Sequence, residues 1–333
     1  MTAPSGPGRQ RRALLLASVA IGAAACYTSQ YRTKPRVAVV DGDPIVQMSD
    51  PSRFPSLFDP KFATEKEHSN PPPPSARLIA LLTKTGPRAY PVGLLDRFEV
   101  VNDGDGSGEW VVARCPIVGT VAIFDRRVDG RTLTFENAGA LWRDASVMKD
   151  RETGTLWSSA TGQGLHGPLA GQRLTLVPAF LSGMLVWSEG YPGSLYLDAG
   201  TSTSAPLTMK VYGASPWQGV SGATTEDRRY KPKSEVFTVA DGSEAFAVSG
   251  AELKARGRIE ASLKDRPLVM TWDPHRDAPR AFRPGPAGEQ GEEMAIVPMY
   301  WFAVPRHFAV VRTPEKSASG AAGEGAAAAL TPR

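Results

Sequence analysis

The residues able to do chemistry are few. The chain holds two cysteines, Cys26 and Cys115, and four histidines, His68, His166, His275 and His307. A thiol works as nucleophile, redox centre or soft-metal ligand only with a base or co-ligands beside it. No two of the histidines stand at ligand spacing, so Cys115 reads as a small buried hydrophobe at a strand end. The glycine-rich stretch Gly162–Gly171 lacks the Lys-Ser/Thr pair and following helix of a phosphate loop, and reads as turns. Asp103-Gly-Asp-Gly-Ser-Gly108 opens like a calcium loop, but its twelfth position is Arg114 where a bidentate Glu belongs. A polar hairpin loop is expected there. Asp125-Arg126 and Asp150-Arg151 repeat an Asp-Arg pair at strand ends. Such arginines can clamp a carboxylate or phosphate. The simpler expectation is an ion pair tying two hairpins together, with Trp157 covering it. No catalytic residue, metal ligand or cofactor is assigned. The enzymatic or metal/redox alternative would need Cys115, Arg126, Asp150 and Trp157 to converge on one pocket.

The elements that must position these residues are strands. Gly and Pro number 33 and 29 in 333 residues, which disfavours a helical bundle and suits short strands joined by turns. The expected class is mainly β (α+β), with many short antiparallel strands, hairpins and a few short helices. Trp110–Cys115 is one strand. Gly119–Val128 and Arg131–Phe135 flank Asp129-Gly130, a strong hairpin signal. Val147–Arg151 and Thr155–Trp157 flank a second turn, Glu152-Thr-Gly154. One helix is expected over Ala179–Glu189, with Phe180, Met184 and Trp187 as its core face.

A weak echo runs through the chain. Gly86-Pro-Arg-Ala-Tyr-Pro-Val92 resembles Gly242-Ser-Glu-Ala-Phe-Ala-Val248 at a separation of 156, and Trp110–Val112 resembles Pro267–Val269 at 157. Two related β units are expected, 75–200 and 201–312.

Residues 1–26 read as an export signal. Arg9, Arg11 and Arg12 precede an uncharged run from Ala13 to Ala25, too short to span a bilayer but suited to a signal core. Ala23–Ala25 stand directly before Cys26, the spacing of a lipoprotein signal, although Ala23 stands where the usual pattern has Leu, so attachment to a membrane through a lipid on Cys26 is expected, with ordinary cleaved secretion or a retained anchor as the alternatives. Residues 27–74, closing on Pro71–Pro74, read as a stiff linker or an N-terminal wrap, and 313–333 as a disordered tail. The net charge of +4 owes three positives to that leader, and no Lys/Arg stripe interleaves with aromatics, so no nucleic-acid partner is expected.

Residues 88–171 carry a family pattern: Arg88-Ala-Tyr-Pro, Glu99-Val-Val-Asn102-Asp103, Cys115-Pro, Ile123-Phe-Asp-Arg126, Asp150-Arg151-Glu-Thr, Leu156-Trp157 and Gly167-Pro-Leu-Ala-Gly171. With Tyr300-Trp-Phe-Ala303, they resemble the bacterial and archaeal family of unknown function numbered 3179, over about 75–312. The resemblance implies no activity. It adds Glu99 and Asn102 to the candidate binding residues Cys115, Arg126, Asp150, Arg151 and Trp157. Where the family commonly has Cys-Pro-Leu-Cys, this chain has Val118 in place of the second Cys, and Phe98 replaces a His before Glu99. A Tyr-Asn pair is replaced by Trp142-Arg143. The two Cys and the His would make a soft-metal or redox set, of which one member is kept.

Overall fold

The structure, a computed structural model, describes residues 29–285 and 291–315. Local turn chemistry sets the hairpins. Asp41-Gly42, Asp129-Gly130, Arg143-Asp144 and Lys264-Asp265 are two-residue connections with both members at positive φ. Such turns match the right-handed twist of the strands they join. The Asp129-Gly130 hairpin forms as expected but is short, Arg127–Val128 against Arg131–Thr132. The second expected hairpin pairs Ala145–Asp150 with Leu156–Ser158. The hairpin loop between Val100–Gly104 and Glu109–Cys115 is Asp105–Gly108, so Asp103 and Gly104 of the expected polar loop belong to the strand, with Asp103 buried. The expected helix starts late, at Met184–Gly190, because Phe180–Gly183 is drawn into a sheet with Arg77–Thr83. Phe180 still reaches Trp187, their ring centres 6.2 Å apart.

The described residues are 43% strand and 15% helix, and five sheets of four to six strands form a propeller-like ring of five blades. Four blades come from a repeat whose register matches pair by pair. In the first unit Thr83 opposes Gly86 and Leu78 opposes Pro91; in the second Asp241 opposes Glu244 and Val236 opposes Ser249. A short helix follows each hairpin, Val92–Leu95 and Gly250–Arg256. A three-stranded meander comes next: Val101 opposes Val112 and Cys115 opposes Thr120, as Ile259 opposes Met270 and Asp273 opposes Ala278. All of these counterparts stand 158 residues apart, the separation of Arg77 and Glu235. The flanking strands also recur: Gly183 opposes Arg77 as Tyr300 opposes Glu235, and Leu195 runs parallel to Arg88 as Arg312 does to Phe246. The repeat therefore exists, but the separations of 156 and 157 read from the sequence are both corrected to 158. The two-residue slip of the first echo preserves strand alternation and so leaves apolar side chains on the same faces, whereas the one-residue slip of the second does not.

The fifth blade has no counterpart. It is built from Phe135–Trp142, Ala145–Asp150, Leu156–Ser158 and Gly164–His166, completed by the N-terminal hairpin Arg36–Val40/Asp43–Gln47. Residues 29–74 do not behave as a spacer. Leu57–Phe58 joins the first meander, and Phe62–Ala63 pairs with Leu195–Leu197. Exposure of Val37 and Val39 marks the outer edge of the inserted blade. Among the described residues no helix is long and apolar enough to cross a membrane. Cys26, the export signal and residues beyond 315 lie outside the described residues.

Candidate functional site

The candidates of the first unit gather where its meander meets the inserted blade. Cys115 ends the strand Glu109–Cys115 and is fully buried with Val118, Ala145, Trp301 and Phe302. Its Sγ accepts a hydrogen bond from the Ser146 amide at 3.2 Å. Burial, then the nearby Glu99 carboxylate, pushes the thiol up from its ordinary range, away from a reactive thiolate. Glu99 immediately precedes the neighbouring strand Val100–Gly104 and accepts from Asn137 Nδ2 at 2.8 Å. Burial raises it to about 7, against the opposing hydrogen bond from Asn137 and charge of Arg114. Arg114 turns its Nε to Asp96 at 2.9 Å and its Nη1 to the Thr120 carbonyl at 3.0 Å. Ser146 Oγ completes the set, 2.9 Å from Ser159 Oγ.

The other candidates serve the fold. Asn102 mimics a strand partner for Phe135: its Oδ1 accepts from the Phe135 amide and its Nδ2 donates to the Phe135 carbonyl, both at 2.7 Å. Asp150 is fully buried and accepts from Thr153 N, Thr153 Oγ1 and Trp157 Nε1 at 2.6–2.9 Å. Trp157 is fully buried and meets Phe135 edge to face. The expected Asp-Arg bridge between hairpins is not formed. Asp125 takes Arg127, while Arg126 lies 3.6 Å from Glu109. Arg151 takes Glu136 at 3.1 Å on the adjacent strand of its own hairpin and lies over Phe58. The turn Glu152-Thr-Gly154 explains this outcome: Thr153 folds back on Asp150 and fills the acceptor sites that an arginine would use. Asp150 and Trp157 thus meet, but Cys115 and Arg126 have separate partners, and the four do not form one pocket.

The substituted family positions are informative. Val118 packs in the same cluster as Cys115, whereas Phe98 packs with Leu94, Leu95 and Val101 in another. In this chain, then, the second-Cys position lies beside Cys115 and the His position belongs to a different core. Among the described residues no three His, Cys, Asp or Glu side chains gather as a metal-binding group.

Three groups escaped the sequence reading. Asp144, in the tight Arg143-Asp144 turn, is fully buried and accepts from the amides of Val220 and Ser221 at 2.7 and 2.8 Å and from Ser221 Oγ at 2.6 Å. Arg306 also donates to it. A side chain at Gly219 would collide with that carboxyl group, 2.4 Å from a Cβ, and φ there is +76°. The only sequence signal was a charged pair at a turn that favours Asn-Gly. His307 is buried edge to face against Trp142, with neither ring nitrogen hydrogen-bonded. Burial, then Arg306 and Arg143, lowers it to about 3. Lys233 Nζ lies 3.5 Å and 4.2 Å from the ring centres of Tyr212 and Tyr300. Burial lowers it to about 7, while the two ring faces favour its charged form.

Fold and site together define a five-bladed, propeller-like β protein whose buried polar groups are concentrated in the first repeated unit and the inserted blade. The chain belongs to the family described as protein of unknown function (DUF3179), whose model matches residues 51–300. No curated protein and no solved structure matches the chain.

Proposed function

We propose that the protein is an exported lipoprotein of the cell envelope, held to a membrane through Cys26, whose ring has a binding or structural role. One observation carries the role: Cys115, Asn102, Asp150 and Trp157 are buried in the fold's own hydrogen bonds and packing. A ring spent in this way offers its blade surfaces and seams to a partner. The basic leader, short apolar run and small residues before Cys26 support the anchor. One acyl chain binds a bilayer only marginally, so stable attachment calls for a multiply acylated N-terminus. Replacing Cys26 with Ser should move the protein from the membrane fraction to soluble material. Unchanged partitioning would remove the anchor from the reading. Metal analysis of the purified protein addresses the metal alternative: stoichiometric metal that disappears in Cys115→Ala would replace the binding reading with a metal role.

A further inference from the structure

A cleft of about 280 Å³ opens at the seam between the inserted blade and the second unit, lined by Thr161, Arg173, Thr175, Thr238, Asp241 and Gly242. Space on that scale holds roughly nine waters at ~30 Å³ each, or a ligand of about ten non-hydrogen atoms. Its charges are unbalanced. Arg173 donates one Nη1 bond to the Thr161 carbonyl at 3.0 Å and, among the described residues, has no carboxylate at ion-pair distance, the nearby charge being that of Asp241. Asp241 is shared by Lys264 at 3.2 Å and Arg283 at 3.0 Å. The Lys264 ammonium lies only 2.9 Å from where a Cβ on Gly242 would stand, behind the Gly242 that lines the cleft. Arg283 Nη1 is buried with no hydrogen-bond partner. The next carboxylate, Glu244, is taken by Arg312 at 2.6 Å. Four cations therefore share two carboxylates. The matching turn of the first unit is different: there Thr83 and Thr85 bond each other, and Thr85 bonds Asp105.

We propose that this cleft binds a small dianion, a dicarboxylate or a phosphate, gripped by Arg173 with Lys264 and Arg283 behind it. A planar guanidinium with free donors is suited to either oxyanion. The proposal gives a ligand class to the binding role above and does not depend on the anchor.

Calorimetric titration of the full chain at low salt tests it, with succinate and inorganic phosphate as probes and neutral succinamide as control. One of the anions should bind, more weakly as salt rises. Arg173→Gln should weaken that binding about tenfold or more, the scale of one charge-assisted hydrogen bond. Asp241→Asn should tighten it, because it removes the anion's competitor. Effects of opposite sign are not produced by general damage to the fold, and ligand-free melting curves check that each variant is folded. Should Arg173→Gln fail to fold, Arg173→Lys, which keeps the charge but loses the fork, should still weaken binding. The proposal is overturned if neither anion binds at millimolar concentration, if succinamide binds equally well, or if folded Arg173 variants bind like the parent. Any of these results leaves membrane attachment through Cys26 standing, so the two readings fail separately.

Discussion

The two repeated units solve one topology with two kinds of core. In the second unit, Phe237, Val239, Val248, Leu253, Ile259, Leu268, Met270 and Ala281 pack as a purely apolar cluster. Their counterparts 158 positions earlier are Ile79, Leu81, Tyr90, Leu95, Val101, Trp110, Val112 and Ile123, also one cluster. The first core, however, carries a polar chain. Arg88 donates to Asp103 at 2.7 Å, Tyr90 Oη donates to the same carboxylate at 2.5 Å, and Trp110 Nε1 donates to Tyr90 Oη at 2.6 Å. The second unit has Phe246, Ala261, Val248 and Leu268 at those four positions. Glu99 and Arg114 correspond to Gly257 and Trp272. The comparison teaches that the fold does not require these polar groups. They are local choices of the first unit, and each is costly to break once made.

The largest effect should come from giving the first unit a residue the second already has. Asp103→Ala installs the counterpart of Ala261 and strands Arg88, whose side chain is only 15% exposed, together with the buried Tyr90 hydroxyl. Breaking a covered pair from one side costs about 3–5 kcal/mol. Chemical denaturation should show a loss on that scale; a loss under about 1 kcal/mol, the worth of an exposed pair, would mean that the network is not structural.

Glu99 sharpens the comparison through pH. Its folded value is raised from 4.5 to about 7, so between those values the folded state holds a proton that the unfolded state has released. The stabilisation is complete below about pH 4.5 and is lost as pH rises through 7. Full loss corresponds to about 3 kcal/mol. Glu99→Gln, neutral throughout, should match the parent near pH 5 and melt higher near pH 8. Equal melting at both pH values would contradict the assignment. His307 governs the acid side with the opposite sign. Its folded value is lowered to about 3, so its contribution is complete above the unfolded value of 6.5 and lost as pH falls toward 3.

Cys115→Ala should have a smaller effect, about 1 kcal/mol, because a small buried group and one weak acceptor are removed. Thermal melting checks the size. Irreversible loss of the folded state would show a larger role for the Ser146 contact.

Much of this was legible in the sequence. Asp129-Gly130 and the Glu152–Gly154 turn announced their hairpins through residues suited to positive φ, and the echo between units was visible. Its register was not, because strand side chains repeat every two residues and a slip of two leaves the hydrophobic pattern intact. The N-terminal strands were hidden for another reason: Leu57–Phe58 and Phe62–Ala63 are only two residues long and are fixed by partners distant in the chain. Among site residues, Cys115 was read correctly as a buried group, since no histidine had the spacing to activate it. The Asp-Arg bridge was misread because spacing cannot reveal that Thr153 and Trp157 saturate Asp150 first. Asp144 gave only the signal of a charged pair at a tight turn, as its partners Val220, Ser221 and Arg306 lie far along the sequence.

The two register-matched units meet through one pair of matched residues. Arg77 and Glu235 are counterparts, and they pair with each other, with two bonds of 2.8 Å. Matched positions can meet only where the two units approach their common centre, much as in an isologous interface. Arg77 is about half exposed, so a coupling of roughly 0.5–1 kcal/mol is expected. A double-mutant cycle with Arg77→Glu and Glu235→Arg measures it by denaturation. Each single reversal should destabilise the protein, and the double exchange should recover most of the loss. Additive losses in the double variant would show that the counterparts do not meet, and would contradict the paired-unit account.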